Sequence, residues 1–82
     1  MQVQSFDNVL RQLSYVAAVS YVSEKLPEMV SEGARYRILY ARQSEYEGAV
    51  TVAFEIDELP SVQAFDVWIE TLDGESFIYG EW

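Results

Sequence analysis

Glu55, Asp57 and Glu58 fall within four residues of one another, in a chain that contains neither histidine nor cysteine. The commonest general base and the commonest neutral metal ligand are thus both missing, and an active site would have to run on carboxylates. Such a trio offers oxygens to a hard cation. Its spacing argues against that use. Successive side chains of an extended segment point to opposite faces, so Glu58 falls opposite Glu55 and Asp57. The Asp/Asn-Gly loop spacing of an EF-hand is also absent. The sequence therefore disfavours an enzyme and predicts no catalytic residue, no bound metal and no cofactor.

The carboxylates do something else, which shows in their distribution. The chain carries a formal net charge of -9 on 82 residues, and Arg42 is its last cation. Residues 1 to 42 hold five cations against four carboxylates, net +1, while residues 43 to 82 hold ten carboxylates and no cation, net -10. Binding to DNA, RNA or anionic lipid needs Lys and Arg, so this balance argues against nucleic acid and membrane surfaces as partners and favours a protein with a basic surface. The competing account is that surplus acid keeps a small domain soluble. Neither a basic segment leading into an apolar run at Met1 nor an apolar run of roughly 18–20 residues is present, which predicts a soluble, intracellular protein.

The elements that must position these groups follow from periodicity. Half of the residues are hydrophobic, far from the composition of a disordered chain, and 82 residues suffice for one domain. Ser5 is placed to cap a first helix with Asp7 near its positive end, and Phe6, Val9, Leu10, Leu13, Val16 and Ala17 follow at helical spacing. From Ala18 to Glu24 the β-branched and aromatic residues predict a short strand. Lys25-Leu26-Pro27-Glu28 reads as the start of a second helix, with Pro27 at its first position and Gly33 ending it. Four strands come next. Tyr36, Ile38 and Tyr40 alternate with Arg37 and Leu39, and this strand should pair antiparallel with the next. Val50, Val52, Phe54 and Ile56 alternate with Thr51, Ala53, Glu55 and Asp57. Phe65, Val67 and Ile69 alternate with Asp66, Trp68 and Glu70. A turn at Asp73-Gly74 then leads to a last strand, Ser76 to Trp82. The expected fold is α+β: a single small domain over residues 1–82, with a largely antiparallel five-stranded sheet and two helices on one side.

This order of elements, with its punctuation, resembles the phage-type uracil-DNA glycosylase inhibitor family, as a divergent member. Leu26-Pro27-Glu28, followed by Val30 and Gly33, looks like the Leu-Pro-Glu start of that family's second helix. Ile38-Leu39 looks like the start of its next strand, and Asp57 with Pro60 like its strand exit. Val67-Trp68-Ile69-Glu70 is similar to its Leu-Val-Ile-Gln strand, and Asp73-Gly74-Glu75, with Ile78 after it, to its Asn-Gly-Glu hairpin and last strand. Two positions depart from the pattern: Ser20 to Glu24 replaces the family's Glu-Ser-Ile strand, and Met29 stands where the family has a second glutamate.

The resemblance implies a DNA mimic that inhibits its target by occupying the DNA-binding cleft. Uracil-DNA glycosylase would be the partner, in the cytoplasm of an infected bacterial host. A glycosylase that flips uracil from DNA has a cationic cleft and an apolar wedge, and a mimic must meet both. Glu24, Glu28, Glu55, Asp57, Glu58, Asp66 and Glu70 are the candidates to stand in for phosphates. Met29, Val30, Tyr40, Val52, Phe54 and Trp68 are the candidates for an apolar pocket between second helix and sheet that would take the wedging leucine. The plainer reading of these residues is a solvated sheet face and an ordinary core. Trp68 is the exception, because alternation puts it on the acidic face, where an exposed aromatic suits protein binding. Two alternatives share the same charge: a DNA mimic aimed at a restriction or CRISPR nuclease, and an acidic interaction module that inhibits nothing.

Overall fold

The computed structural model describes the backbone of residues 3–82 and the side chains of residues 13–82. One helix, α1 (Val3–Met29), precedes four strands, β1 (Tyr36–Gln43), β2 (Ala49–Ile56), β3 (Gln63–Leu72) and β4 (Glu75–Glu81). The strands form one antiparallel sheet in the order β1-β2-β3-β4, each paired with its neighbour in sequence. α1 lies across one face and packs on β1, β2 and β3. The molecule is thus a small α+β domain with an antiparallel sheet, as the sequence predicts. Among the described residues it has one helix and four strands, where two helices and five strands were expected.

The missing strand is part of α1. Ala18, Val22 and Leu26 recur every fourth residue and are completely buried, with Tyr15, Val19 and Tyr21 packed beside them. That spacing makes one face of a helix, and its burial against the sheet outweighs the β propensity of the valines and tyrosine. Leu13 and Val16, expected on the buried stripe, are instead 60% and 63% exposed. The chain is already helical at Val3, the first described residue, and the expected roles of Ser5, Phe6, Asp7, Val9 and Leu10 lie outside the described side chains.

Leu26-Pro27-Glu28 occupies the last turn of α1 and starts no second helix. Pro27 has no N–H to give the carbonyl four residues back, which weakens the helix there. It ends at Met29, two residues on; the Val30 N–H donates to the Leu26 carbonyl at 3.0 Å. Gly33 then takes the left-handed conformation, φ 83°, as the chain turns toward β1.

Along β2, Val50, Val52, Phe54 and Ile56 face α1 and form the core with Phe65 and Val67 of β3. Each such side chain, fully buried, contributes on the order of 1.5–3 kcal/mol. The expected alternation of β2 and β3 holds, and so does the antiparallel pairing of β1 with β2. The alternation of β1 does not. Its register passes from Ile38 opposite Phe54 to Tyr40 opposite Ala53, so Leu39 is an extra residue and Tyr40 turns to the face opposite Ile38. Between β3 and β4, Asp73 (φ 52°) and Gly74 (φ 78°) both have the positive φ of a type I′ turn, as expected of an Asp-Gly pair.

Candidate functional site

The face of the sheet away from α1 carries the chemistry. Four rungs of the β3–β4 ribbon present their side chains there: Asp66 opposite Glu81, Trp68 opposite Tyr79, Glu70 opposite Phe77, and Leu72 opposite Glu75. Carboxylates and large apolar groups are interleaved, and no cation stands on either strand. The neighbouring strand supplies a floor of small side chains. Ala49, Thr51 and Ala53 of β2 share this open face yet are only 3%, 4% and 3% exposed, because larger residues on β1 and β3 rise beside them.

Trp68 is the centre of an aromatic stack. Its ring lies parallel to Tyr79, centroids 5.6 Å apart and planes 7° apart, and Tyr46 approaches from the β1–β2 connection at 6.0 Å. Such pairs contribute about 0.5–1.5 kcal/mol beyond the area they cover. Tyr46 is fixed from below: its N–H donates to the Ser44 hydroxyl, and the Ser44 hydroxyl donates to Asp66. Asp66 also accepts a 2.6 Å bond from the Thr51 hydroxyl. One carboxylate on β3 therefore ties together its own strand, β2 and the β1–β2 connection, while Glu45 and Glu47 flank Tyr46 in the exposed loop. Glu70 accepts a 2.9 Å bond from the Tyr79 hydroxyl. This bond to the carboxylate, together with desolvation and the charge of Glu70, raises the Tyr79 hydroxyl above its ordinary value of 10.0.

The seven expected phosphate mimics divide among three places. Glu55, Asp66 and Glu70 lie on the open face, with Glu55 in a 2.9 Å ion pair with Arg37. Asp57 and Glu58 follow the end of β2, where Glu58 accepts from the Ser31 N–H at 3.2 Å. A shallow depression of about 290 Å³ there brings Glu55 and Asp57 to the same rim as Pro60. Glu24 and Glu28 are on the exposed side of α1, where Glu28 lies 3.9 Å from Lys25.

The expected pocket residues are not brought together. Val52 and Phe54 are sealed in the core, and Val30 is packed against it. Met29 is partly exposed at the end of α1, while Tyr40 and Trp68 are on the opposite face of the sheet. The separation has a physical cause: with no second helix to stand off from the sheet, the space expected between them is filled by α1 itself. A cleft of about 550 Å³ opens elsewhere, between Leu13, Tyr15 and Ala17 of α1, Val50 and Ile69 of the sheet, and Gly48 just before β2. It has no charged lining residue among them.

Tyr46 and Tyr79, which pack against Trp68, are not among the residues that the sequence singles out. Tyr79 had a signal, since an alternating strand after the Asp-Gly turn places it across from Trp68. Tyr46 had none, because its position depends on how the connection folds back. Among the described residues no group of three Asp or Glu side chains converges to hold a metal ion, and no helix is long and apolar enough to cross a membrane. Comparison with protein-family models, with curated proteins and with solved structures finds no match to this chain.

Proposed function

We propose that the protein is a non-catalytic binder of a basic protein surface, and that it occupies the place nucleic acid would otherwise take. The observation that carries this reading is the open side of the β3–β4 ribbon, where Asp66, Glu70, Glu75 and Glu81 stand among Trp68, Tyr79 and Phe77 with no cation on either strand. A strand rises about 3.3 Å per residue, close to the roughly 3.4 Å that DNA rises per phosphate along one strand, so carboxylates on one face fall near multiples of that rise. The aromatic rings serve equally to receive Lys and Arg side chains by cation–π contact.

Uracil-DNA glycosylase is the partner that the sequence resemblance suggests, and its cationic cleft has the required sign. The test is uracil release from DNA at low salt by a bacterial glycosylase, with the protein in modest excess. Inhibition is expected, and the double variant Glu70→Lys with Glu75→Lys should relieve it. Unimpaired release by the enzyme overturns the glycosylase reading. A second reading, an acidic interaction module for a basic partner unrelated to DNA, is favoured by the exposed aromatic rungs, which phosphate mimicry alone does not require. Capture of a partner that no DNA displaces would select it.

A further inference from the structure

The two edges of the sheet differ in how they meet another chain. β1 is blunted: its register is broken at Leu39, and Arg35, Arg37 and Arg42 stand at or along it. β4 has neither a break in register nor a cation. It pairs with β3 without interruption from Leu72 opposite Glu75 to Asp66 opposite Glu81, so the backbone groups of its outer side are aligned as a template for one more strand. No β4 residue belongs to the core, and Phe77, Ile78 and Tyr79 are all exposed.

From this geometry we infer that the β4 edge is a docking site for an extended segment of the partner, rich in Lys or Arg, which adds as a fifth strand. The inference rests on the reading that the partner is basic. Phe77 and Tyr79 on one face and Ile78 on the other offer apolar contacts to both sides of an incoming strand. The only charged residues of β4 are Glu75 and Glu81, one at each end. A second copy of β4, paired antiparallel about Ile78, would set Glu75 against Glu81 twice, and like charges directly opposite destabilise a sheet. A segment with cations at those positions turns both contacts favourable.

Backbone amide hydrogen exchange of the intact protein tests this, with a synthetic peptide alternating lysine and valine as the probe. At low salt the peptide should slow exchange between Ser76 and Gly80 by roughly tenfold or more, leave β1 unchanged, and be without effect when glutamate replaces its lysines. Ile78→Lys should abolish the protection, and so should Glu75→Lys with Glu81→Lys, a pair of exposed changes that leaves the apolar contacts in place. Protection on β1, a response of tryptophan fluorescence with no protection of β4, or slowing that depends on protein concentration without peptide would each overturn the inference. So would glycosylase inhibition that survives Ile78→Lys but is lost in the open-face variant, and that outcome leaves the proposed function standing. Protection of β4 without inhibition of the enzyme would overturn only the glycosylase reading.

Discussion

The two faces of this sheet are made from the same strands by alternation, yet they solve different problems. The covered face is aliphatic and aromatic, closed by α1, and has no charge among its core residues. The open face is a shallow floor of Ala49, Thr51 and Ala53 beside rungs that mix carboxylates with rings. β2 is buried on both faces, whereas β4 is covered on neither, so a residue's environment depends on its strand as much as on its parity. Stability and recognition are therefore separable here: changes on the open face of β3 and β4 should leave the core alone.

Four substitutions would break or sharpen that separation. The largest effect should come from Phe54→Ala, which empties a completely buried site that also meets the Trp82 ring edge-on at 5.3 Å; denaturant unfolding should show a loss of about 3–5 kcal/mol. Gly80→Val comes next. A Cβ at Gly80 would lie 2.3 Å from Phe65 Cε1 and 2.9 Å from the Asp66 carbonyl oxygen, and we expect a cost of about 1–3 kcal/mol. Adding Phe65→Leu to Gly80→Val should recover part of that cost in a double-mutant cycle, leaving the share due to the backbone oxygen. Thr51→Val tests the open face directly. It removes the 2.6 Å bond to Asp66 but keeps the Ser44 bond, so a loss of about 1–2 kcal/mol in unfolding is expected. A core-sized loss would show that the two faces are not separable.

The smallest effect should be in alkali. The Tyr79 hydroxyl is raised in the folded protein, so its bond to Glu70 contributes stability that is present below pH 10 and lost as pH rises through the folded value. An ultraviolet titration of tyrosinate should find Tyr79 titrating late, and Glu70→Gln should bring it back toward the ordinary value.

Most of the sheet was legible because its signals are local. Phe65, Val67 and Ile69 announce a covered face by simple alternation, and Asp73-Gly74 announces its turn by the φ values it tolerates. The place of Trp68 on the open face was legible for the same reason. The helix was harder, because its Ala18, Val22 and Leu26 stripe is threaded through residues that individually prefer strands, and only the sheet beneath decides between the two. Leu39 gave no hint of the bulge, since nothing in an apolar residue marks it as the extra one. The pocket was read from an arrangement with two helices, and it vanished with the second of them. Tyr46 reaches Trp68 only across a chain reversal, a proximity that spacing does not encode.

The strand order has a kinetic consequence. Every strand pairs with the one before it in sequence, and β3 and β4 are joined by Asp73 and Gly74 alone. Closing such short connections costs little chain entropy, so the sheet can assemble one hairpin at a time, and the docking of α1 is left as the long-range search. With no cysteine in the chain, no disulfide step delays it. We expect refolding within about milliseconds to a second, fast enough to limit the time that the apolar edge of β4 spends beside other unfolded chains.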